Sequence, residues 1–367
     1  MLLKRMTRRL WVSKALALCL MAVLPGAAAA GAAASSADPS SRQQVQVRLA
    51  PGAPEIPADL SARSWVVADA ESGEVLASRN PHRRLPPAST LKILFALTVM
   101  PNFDHDDTHA VRQSELAGIG AGSSVVGLVP GRSYQVSDLW NGVFLRSGND
   151  AVHVLASMNG GWSQTAEEMD RFARAMGATD THVVSPDGFD ADGQVSSAHD
   201  LALLGSAGLK DPDFAQYAAT DEAWFPDGRW DDGTRRWTPI HNTNRLLTGL
   251  DGVRPYPGLI GIKNGYTSRA GNTLVAAARR DGRTLIVALL NPGSGLRNAV
   301  YEETRSLLDW GFDAADKVTP VSWLGRSGLH GPGPTENSTK SAGREIKSSH
   351  RAGSAFFQMK SEHSPAS

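Results

Sequence analysis

Residues 86–100 have the sequence PPASTLKILFALTVM. The two prolines disfavour a helix before them and permit one after them. The residues that follow are apolar on nearly every side, which predicts a buried helix. Ser89 and Lys92 do not fit a plain core helix. They are three residues apart and therefore share one helix face, where their side chains can meet.

The pair formed by Ser89 and Lys92 has two interpretations. In apolar surroundings an amine loses its charge more readily, so Lys92 can act as a general base and Ser89 as a nucleophile. Alternatively, Ser89 caps the helix and Lys92 extends its amine to water. A Ser-x-x-Lys spacing often occurs by chance, so the rest of the chain must decide between the two.

The composition fits a globular protein with a core of its own. The chain has 367 residues, of which 41% are hydrophobic and 20% charged, enough for one large domain or two modest ones. Lys plus Arg and Asp plus Glu both number 37, so no strongly basic surface points to a nucleic-acid partner. The histidines lack metal-ligand spacing, and we expect neither a metal site nor a cofactor.

The ends of the chain differ from its middle. Residues 1–34 combine a basic start, an apolar run too short to span a bilayer comfortably, and small residues suited to cleavage, which predicts a signal peptide and export. Residues 35–60 are expected to be a flexible linker, 61–315 the folded domain and 316–367 a disordered tail. No transmembrane helix is expected in the mature chain.

The hydrophobic pattern predicts strands near both ends of the domain and helices between them. Strand-like runs cover residues 65–70, 74–78, 259–266, 272–279 and 283–290. Helical patterns begin near residues 89, 137, 151, 165, 197 and 296. Residues 221–238 show no clear period. We therefore expect one sheet, completed by the N- and C-terminal segments, with a helical subdomain between them.

Two further motifs place polar groups where they can do chemistry. Ser147-Gly148-Asn149 falls in a break between predicted helices and can present a hydroxyl and an amide, although the same triplet is an ordinary turn. In strand alternation Lys263 and Gly265 face one side, and glycine permits a ligand to approach closely. The alternative for Lys263 is an exposed edge lysine that discourages aggregation.

Together, S-x-x-K, S-x-N and K-x-G, in this order on a helix, an inter-helix loop and a strand, form the signature of the penicillin-recognising serine enzymes. From about Trp65 to Phe312 the chain resembles the D-alanyl-D-alanine carboxypeptidases, the low-molecular-weight penicillin-binding proteins. The resemblance implies a β-lactamase/transpeptidase-like α/β (α+β) fold, with an antiparallel sheet packed against helices. It also implies a location on the cell-wall side of the cytoplasmic membrane.

The resemblance implies a role for each motif residue. Ser89 is the expected nucleophile, Lys92 its proton acceptor and Ser147 a proton relay to the leaving amine. Backbone N–H groups of Ser89 and Tyr266 are expected to form the oxyanion hole. The implied substrate-binding residues are Asn149, Lys263, Asn264, Gly265, Tyr266 and Arg297. The implied partners are peptidoglycan stem peptides ending in D-Ala-D-Ala and β-lactam antibiotics.

Asn264 departs from the family pattern, which usually has threonine at this position, so we expect a changed affinity or β-lactam preference. The favoured function is a serine D-Ala-D-Ala carboxypeptidase that β-lactams inhibit. A DD-endopeptidase would share the same motifs, and a non-turnover penicillin sensor or wall-binding module is favoured only by Asn264. A β-lactamase ranks below these, because no Glu-x-x-Leu-Asn-type segment lies between Asn149 and Lys263.

Overall fold

Strands from both ends of the chain build the central sheet. The protein is described here by a computed structural model that covers residues 45–229 and 234–325. The sheet contains β1 (Val45–Val47), β2 (Ala62–Asp69), β3 (Glu74–Arg79), β8 (Leu259–Thr267), β9 (Gly271–Arg280), β10 (Arg283–Pro292) and β11 (Ser322–Trp323). Their order is β1-β3-β2-β10-β9-β8, with β11 also paired to β3, and every pair is antiparallel.

Both faces of the sheet are buried, which is why its central strands contain almost continuous apolar runs. Along β2, Trp65 and Val67 point to one core, whereas Val66 and Ala68 point to the other. The same alternation holds in β9 and β10. A single-residue slip in pairing would exchange the two cores, so this pattern specifies the register.

Helices cover the two faces. They are α1 (Lys92–Val99), α2 (Val136–Leu145), α3 (Asn149–Met158), α4 (Trp162–Ala175), α5 (Ala198–Gly208), α6 (Pro212–Ala219), α7 (Arg245–Thr248) and α8 (Ala299–Ala314). Leu307, Leu308 and Trp310 of α8 pack on one face, and α1 and α5 contribute to the core on the other. This arrangement confirms the predicted fold class, with one antiparallel sheet made from the N- and C-terminal segments.

Two strand pairs and one helix of the middle region were missed by the sequence prediction. The unpatterned residues 221–238 largely belong to a hairpin of β6 (Glu222–Arg229) and β7 (Arg235–His241), and α6 precedes it. A second small pair joins β4 (Thr108–Ala110) to β5 (Ser133–Gln135). The sequence of the β6–β7 hairpin does not alternate between apolar and polar residues. Packing holds it instead, since Phe225 is buried and stacks on Tyr134 with ring centroids 5.7 Å apart.

The predicted folded domain, residues 61–315, is too short at both ends. Residues 45–60 are not a flexible linker, because β1 pairs with β3 and the amide of Ala50 donates to the carbonyl of Lys317. Residues 316–325 are not a disordered tail, because β11 also pairs with β3 and Leu324 is buried. Backbone pairing to one edge strand thus orders both segments despite their polar composition.

Three predictions fall wholly or partly outside the described residues. They are the signal peptide at 1–34, the linker over residues 35–44 and the disordered tail from residue 326 onward. Among residues 45–229 and 234–325, no helix has both the length and the apolar character needed to cross a membrane.

Candidate active site

Ser89 lies in a short 3₁₀ turn, Ala88–Leu91, that leads directly into α1. The carbonyl of Pro87 accepts hydrogen bonds from the hydroxyls of Thr90 (2.6 Å) and Thr273 (3.0 Å), which ties the turn to β9. Ala88 has a φ of 51°, a left-handed conformation that costs a non-glycine residue about 1–3 kcal/mol and is common at active sites. The nucleophile is therefore held on a strained, well-braced turn.

Lys92 follows at the start of α1 and is only 1% exposed. Its Nζ donates to Ser89 Oγ (2.9 Å), Asn149 Oδ1 (2.7 Å) and the carbonyl of Asp187 (2.6 Å). Burial lowers the pKa of Lys92 to about 8, although the charges of Asp187 and Asp150 act to raise it. Roughly a tenth of Lys92 is then neutral at pH 7, so the amine can accept a proton from Ser89.

Ser147 and Gly148 lie in the break between α2 and α3 that the sequence predicted, and Asn149 is the first residue of α3. Gly148 is required there, because a Cβ would lie 2.8 Å from Asp150 Oδ1. Asn149 Nδ2 donates to Ser123 Oγ (3.0 Å) and Asp187 Oδ2 (2.9 Å). The Oγ of Ser147 is buried without a hydrogen-bond partner among the described residues. A buried polar atom without a partner is costly, and a bound substrate can supply one.

Lys263 and Gly265 are both buried on β8, and Gly265 meets the nucleophile turn. Burial, together with repulsion from Lys92, holds the pKa of Lys263 well below its ordinary value. A Cβ on Gly265 would lie 2.7 Å from the backbone nitrogen of Ser89, so glycine lets the strand approach the nucleophile. The next residue, Tyr266, is mostly exposed, at 68%.

Both the nitrogen and the oxygen of the Asn264 side chain are hydrogen-bonded to the protein. Its Nδ2 donates to the carbonyl of Thr243 (3.2 Å) and to the hydroxyl of Tyr301 (3.3 Å). Its Oδ1 accepts from Thr243 Oγ1 (3.0 Å) and lies 3.4 Å from Lys263 Nζ. In this arrangement both amide hydrogens of Asn264 are already used, so it braces Lys263 and neighbouring loops.

Arg297 is not joined to this network. It is exposed in the turn before α8, and its side chain makes no hydrogen bond or ion pair with the described residues. Arg245 instead lies near that turn, where it pairs with Asp251 at 2.7 Å and sits over the ring of Tyr301, 5.4 Å from its centroid. The implied carboxylate-binding role of Arg297 remains a prediction.

Two residues of the site, Asp187 and Tyr301, had no signal in the sequence that marked them as functional. Asp187 belongs to a Ser-Pro-Asp-Gly segment, which predicts only a turn. Tyr301 reaches Asn264 from α8, as Thr243 does from a loop whose sequence, residues 242–247, is part of the family resemblance. Their contacts depend on how distant segments pack, and no local spacing reveals that.

The comparisons with known proteins agree with this geometry. The family model for D-alanyl-D-alanine carboxypeptidases, Peptidase_S11, matches residues 50–294. DacB2 of Mycobacterium tuberculosis, a D-alanyl-D-alanine carboxypeptidase, is 40% identical over 257 residues, which cover 69% of this chain and 83% of DacB2. DacC of Escherichia coli, another D-alanyl-D-alanine carboxypeptidase, is 34% identical, over 71% of this chain and 64% of DacC.

Two solved structures share the fold. The crystal structure of a D-alanyl-D-alanine carboxypeptidase from Mycobacterium tuberculosis has 37% identity and a TM-score of 0.66, and the match covers 75% of this chain and 99% of the other. That of the Streptomyces K15 DD-transpeptidase has 26% identity and a TM-score of 0.64, over 71% and 99%.

The fold and the Ser-Lys site define a serine peptidase of the penicillin-recognising class. Within that class, the chain belongs to the D-alanyl-D-alanine carboxypeptidase family. This membership confirms the resemblance found in the sequence and supports the carboxypeptidase over the endopeptidase and sensor alternatives.

Proposed function

We propose that the chain hydrolyses the terminal bond of peptides ending in D-Ala-D-Ala, through an ester between Ser89 and the penultimate residue. One observation carries the proposal. Nζ of the buried Lys92 lies 2.9 Å from Ser89 Oγ, on a turn packed against β8. A hydroxyl beside an amine of lowered pKa is an activated nucleophile.

In the first step neutral Lys92 takes the hydroxyl proton of Ser89 while Oγ attacks the carbonyl between the two D-alanines. The oxyanion donors we propose are the backbone N–H groups of Ser89 and Tyr266, a kind of stabilisation worth about 3 kcal/mol per donor. The C–N bond then breaks. The proton passes from Lys92 to the departing amine, with Ser147 as the relay, and free D-alanine leaves.

In the second step water replaces the amine. It gives a proton to neutral Lys92 and attacks the ester carbonyl, and the ester bond breaks as that proton returns to Ser89 Oγ. Both steps use the same base and the same oxyanion donors.

The two buried amines and the unpartnered hydroxyl give the site its preference for an anionic end. Burial lowers the pKa of Lys263, and the terminal carboxylate of the substrate raises that pKa again. Lys263 is therefore protonated when the substrate binds and pairs with this carboxylate. Ser147 Oγ, which lacks a partner among the described residues, gains one when the peptide binds. Asn149 orients the scissile amide.

The substrates we propose are peptidoglycan stem peptides, and the location is the cell-wall side of the cytoplasmic membrane after export. Support for export comes from the basic and apolar pattern of residues 1–34. β-Lactams carry a strained amide and a carboxylate in the places of the scissile bond and terminus. They are therefore expected to acylate Ser89 and to form an adduct that hydrolyses slowly.

The decisive experiment measures D-alanine release from an N-acylated peptide ending in D-Ala-D-Ala, with the full chain and with Ser89→Ala. We expect release from the unaltered chain and at least about a 10³-fold loss in the variant. Intact-protein mass spectrometry should show one penicilloyl group, mapped to Ser89 and absent from the variant. Release that survives in Ser89→Ala would contradict the proposal.

A further inference from the structure

Asp187 joins the base and the amide of the site. It lies in the loop between α4 and α5 and is only 3% exposed. Its backbone carbonyl accepts from Lys92 Nζ (2.6 Å), and its carboxylate accepts from Asn149 Nδ2 (2.9 Å). Ser185 Oγ (2.8 Å) and the amide of Phe189 (3.0 Å) hold the other carboxylate oxygen. One residue therefore contacts both the proposed base, Lys92, and the substrate-binding amide of Asn149.

The carboxylate determines which way the amide of Asn149 faces. An ionised carboxylate only accepts hydrogen bonds, so Asp187 can be paired with Nδ2 but not with Oδ1. With Nδ2 turned to Asp187, Oδ1 must face Lys92, as it does at 2.7 Å. The second hydrogen of Nδ2 points to Ser123 and is the one that a substrate carbonyl can take over.

Asp187 is also a source of negative charge for Lys92. The titratable groups that act on Lys92 electrostatically are Asp187, Asp150 and His153, and Lys92 in turn repels Lys263. The carboxylate of Asp150 is committed to the backbone amides of Val126, Gly127 and Leu128. Of these two carboxylates, that of Asp187 is the one that accepts a hydrogen bond from the Asn149 side chain.

We propose that Asp187 is a positioning residue for this reaction: its carboxylate fixes the orientation of Asn149 and supplies the negative charge that offsets the buried amines. The inference rests on the proposed function and adds a residue to it. It explains why Asp187 is buried so close to the nucleophile, with Gly188 packed so tightly that a Cβ there would lie 2.1 Å from the carbonyl of Ala88.

The first test is Asp187→Asn, which keeps the shape and removes the charge. We expect kcat to fall about 10- to 100-fold with KM changed less than about twofold, because a misoriented Asn149 misplaces the reacting groups. The acid limb of the pH profile of kcat/KM should move to lower pH, since losing a nearby negative charge lowers the pKa of Lys92. An unchanged kcat together with an unchanged limb would overturn the proposal.

Two control variants separate positioning, charge and folding. Ser185→Ala loosens the carboxylate but keeps its charge, so kcat should fall without movement of the acid limb. Glu303→Gln alters a buried carboxylate on α8, across the sheet from α1, where it accepts from the amides of Ser61 and Ala62 (both 3.0 Å). It should lower the melting temperature and leave the acid limb in place. A limb shift in Glu303→Gln would assign the effect to general loss of structure and overturn the proposal.

The rate at which a fluorescent penicillin acylates Ser89 gives a second readout. Asp187→Asn should slow acylation and shift its pH profile in the same direction. An unaltered chain that acylates but releases no D-alanine would contradict the proposed function alone, because acylation still tests Asp187. Normal acylation by Asp187→Asn over the whole pH range would contradict the role of Asp187 alone.

Discussion

Lys92 must lose its proton before it can accept one from Ser89, so the pKa of its amine sets the pH at which the enzyme works. We expect kcat/KM to rise about tenfold per pH unit up to pH 8 and then to level off. D-alanine release measured from pH 5.5 to 9.5 would test this, and a rise of kcat/KM centred near pH 4–5 would instead indicate a carboxylate base.

The pKa of Lys92 is about 8 in the folded chain and ordinarily 10.5, so the unfolded chain binds more protons between these two pH values. The contribution of Lys92 to the free energy of unfolding therefore increases as the pH rises between these two values.

Single residues were predictable from the sequence where chemistry demands an unusual residue in a regular pattern. Ser89 and Lys92 stand out because a buried helix has no structural need for them. Asp187 could not be recognised, since its turn looks the same whether the carboxylate faces water or Asn149. The tight bonding of Asn264 depends on Tyr301, which follows it by a strand pair and a loop.

At the level of elements, β8 and the nucleophile turn fit together only because Gly265 has no side chain. Gly265→Ala would place a Cβ 2.7 Å from the nitrogen of Ser89 and from Thr273 Oγ1. We expect β-lactam acylation to slow at least about 10-fold and stability to fall by about 1–3 kcal/mol. Gly293→Ala is the matched control, because its Cβ would lie 3.4 Å from the carbonyl of Ser61. Acylation kinetics and urea unfolding measure both effects, and equal rates in the two variants would contradict this account.

Elements with a strong period were predictable, and those held by their partners were not. The runs that became β8, β9 and β10 are apolar enough to be recognised alone. β1 has three residues and β11 has two, so neither shows a pattern, and both exist because β3 offers an open edge. The β6–β7 hairpin depends on the contact of Phe225 with Tyr134, which lies far away in the sequence.

For the molecule as a whole, the last described residues should contribute to stability. A chain that ends at residue 315 loses β11, the buried Leu324 and two hydrogen bonds, from the amide of Val321 to Val75 of β3 and from the amide of Leu324 to Gly73 just before β3. Compared with a chain that ends at residue 325, we expect its free energy of unfolding to be lower by about 2 kcal/mol or more. Urea denaturation of the two chains measures the difference. Identical midpoints would restore the domain boundary predicted from the sequence.

The pairing of β2 with β10 has a consequence for the order of folding. These strands form the middle of the sheet, and Ala62 lies opposite Pro292, near the two limits of the domain. A ribosome releases the N-terminal strands long before β10 exists, so the nascent chain cannot close the sheet during most of its synthesis. Contacts this distant in sequence also form slowly, because a long loop must close first. The topology therefore delays closure of the sheet until synthesis is nearly finished, and this interval with an unfolded chain would suit the export that we propose.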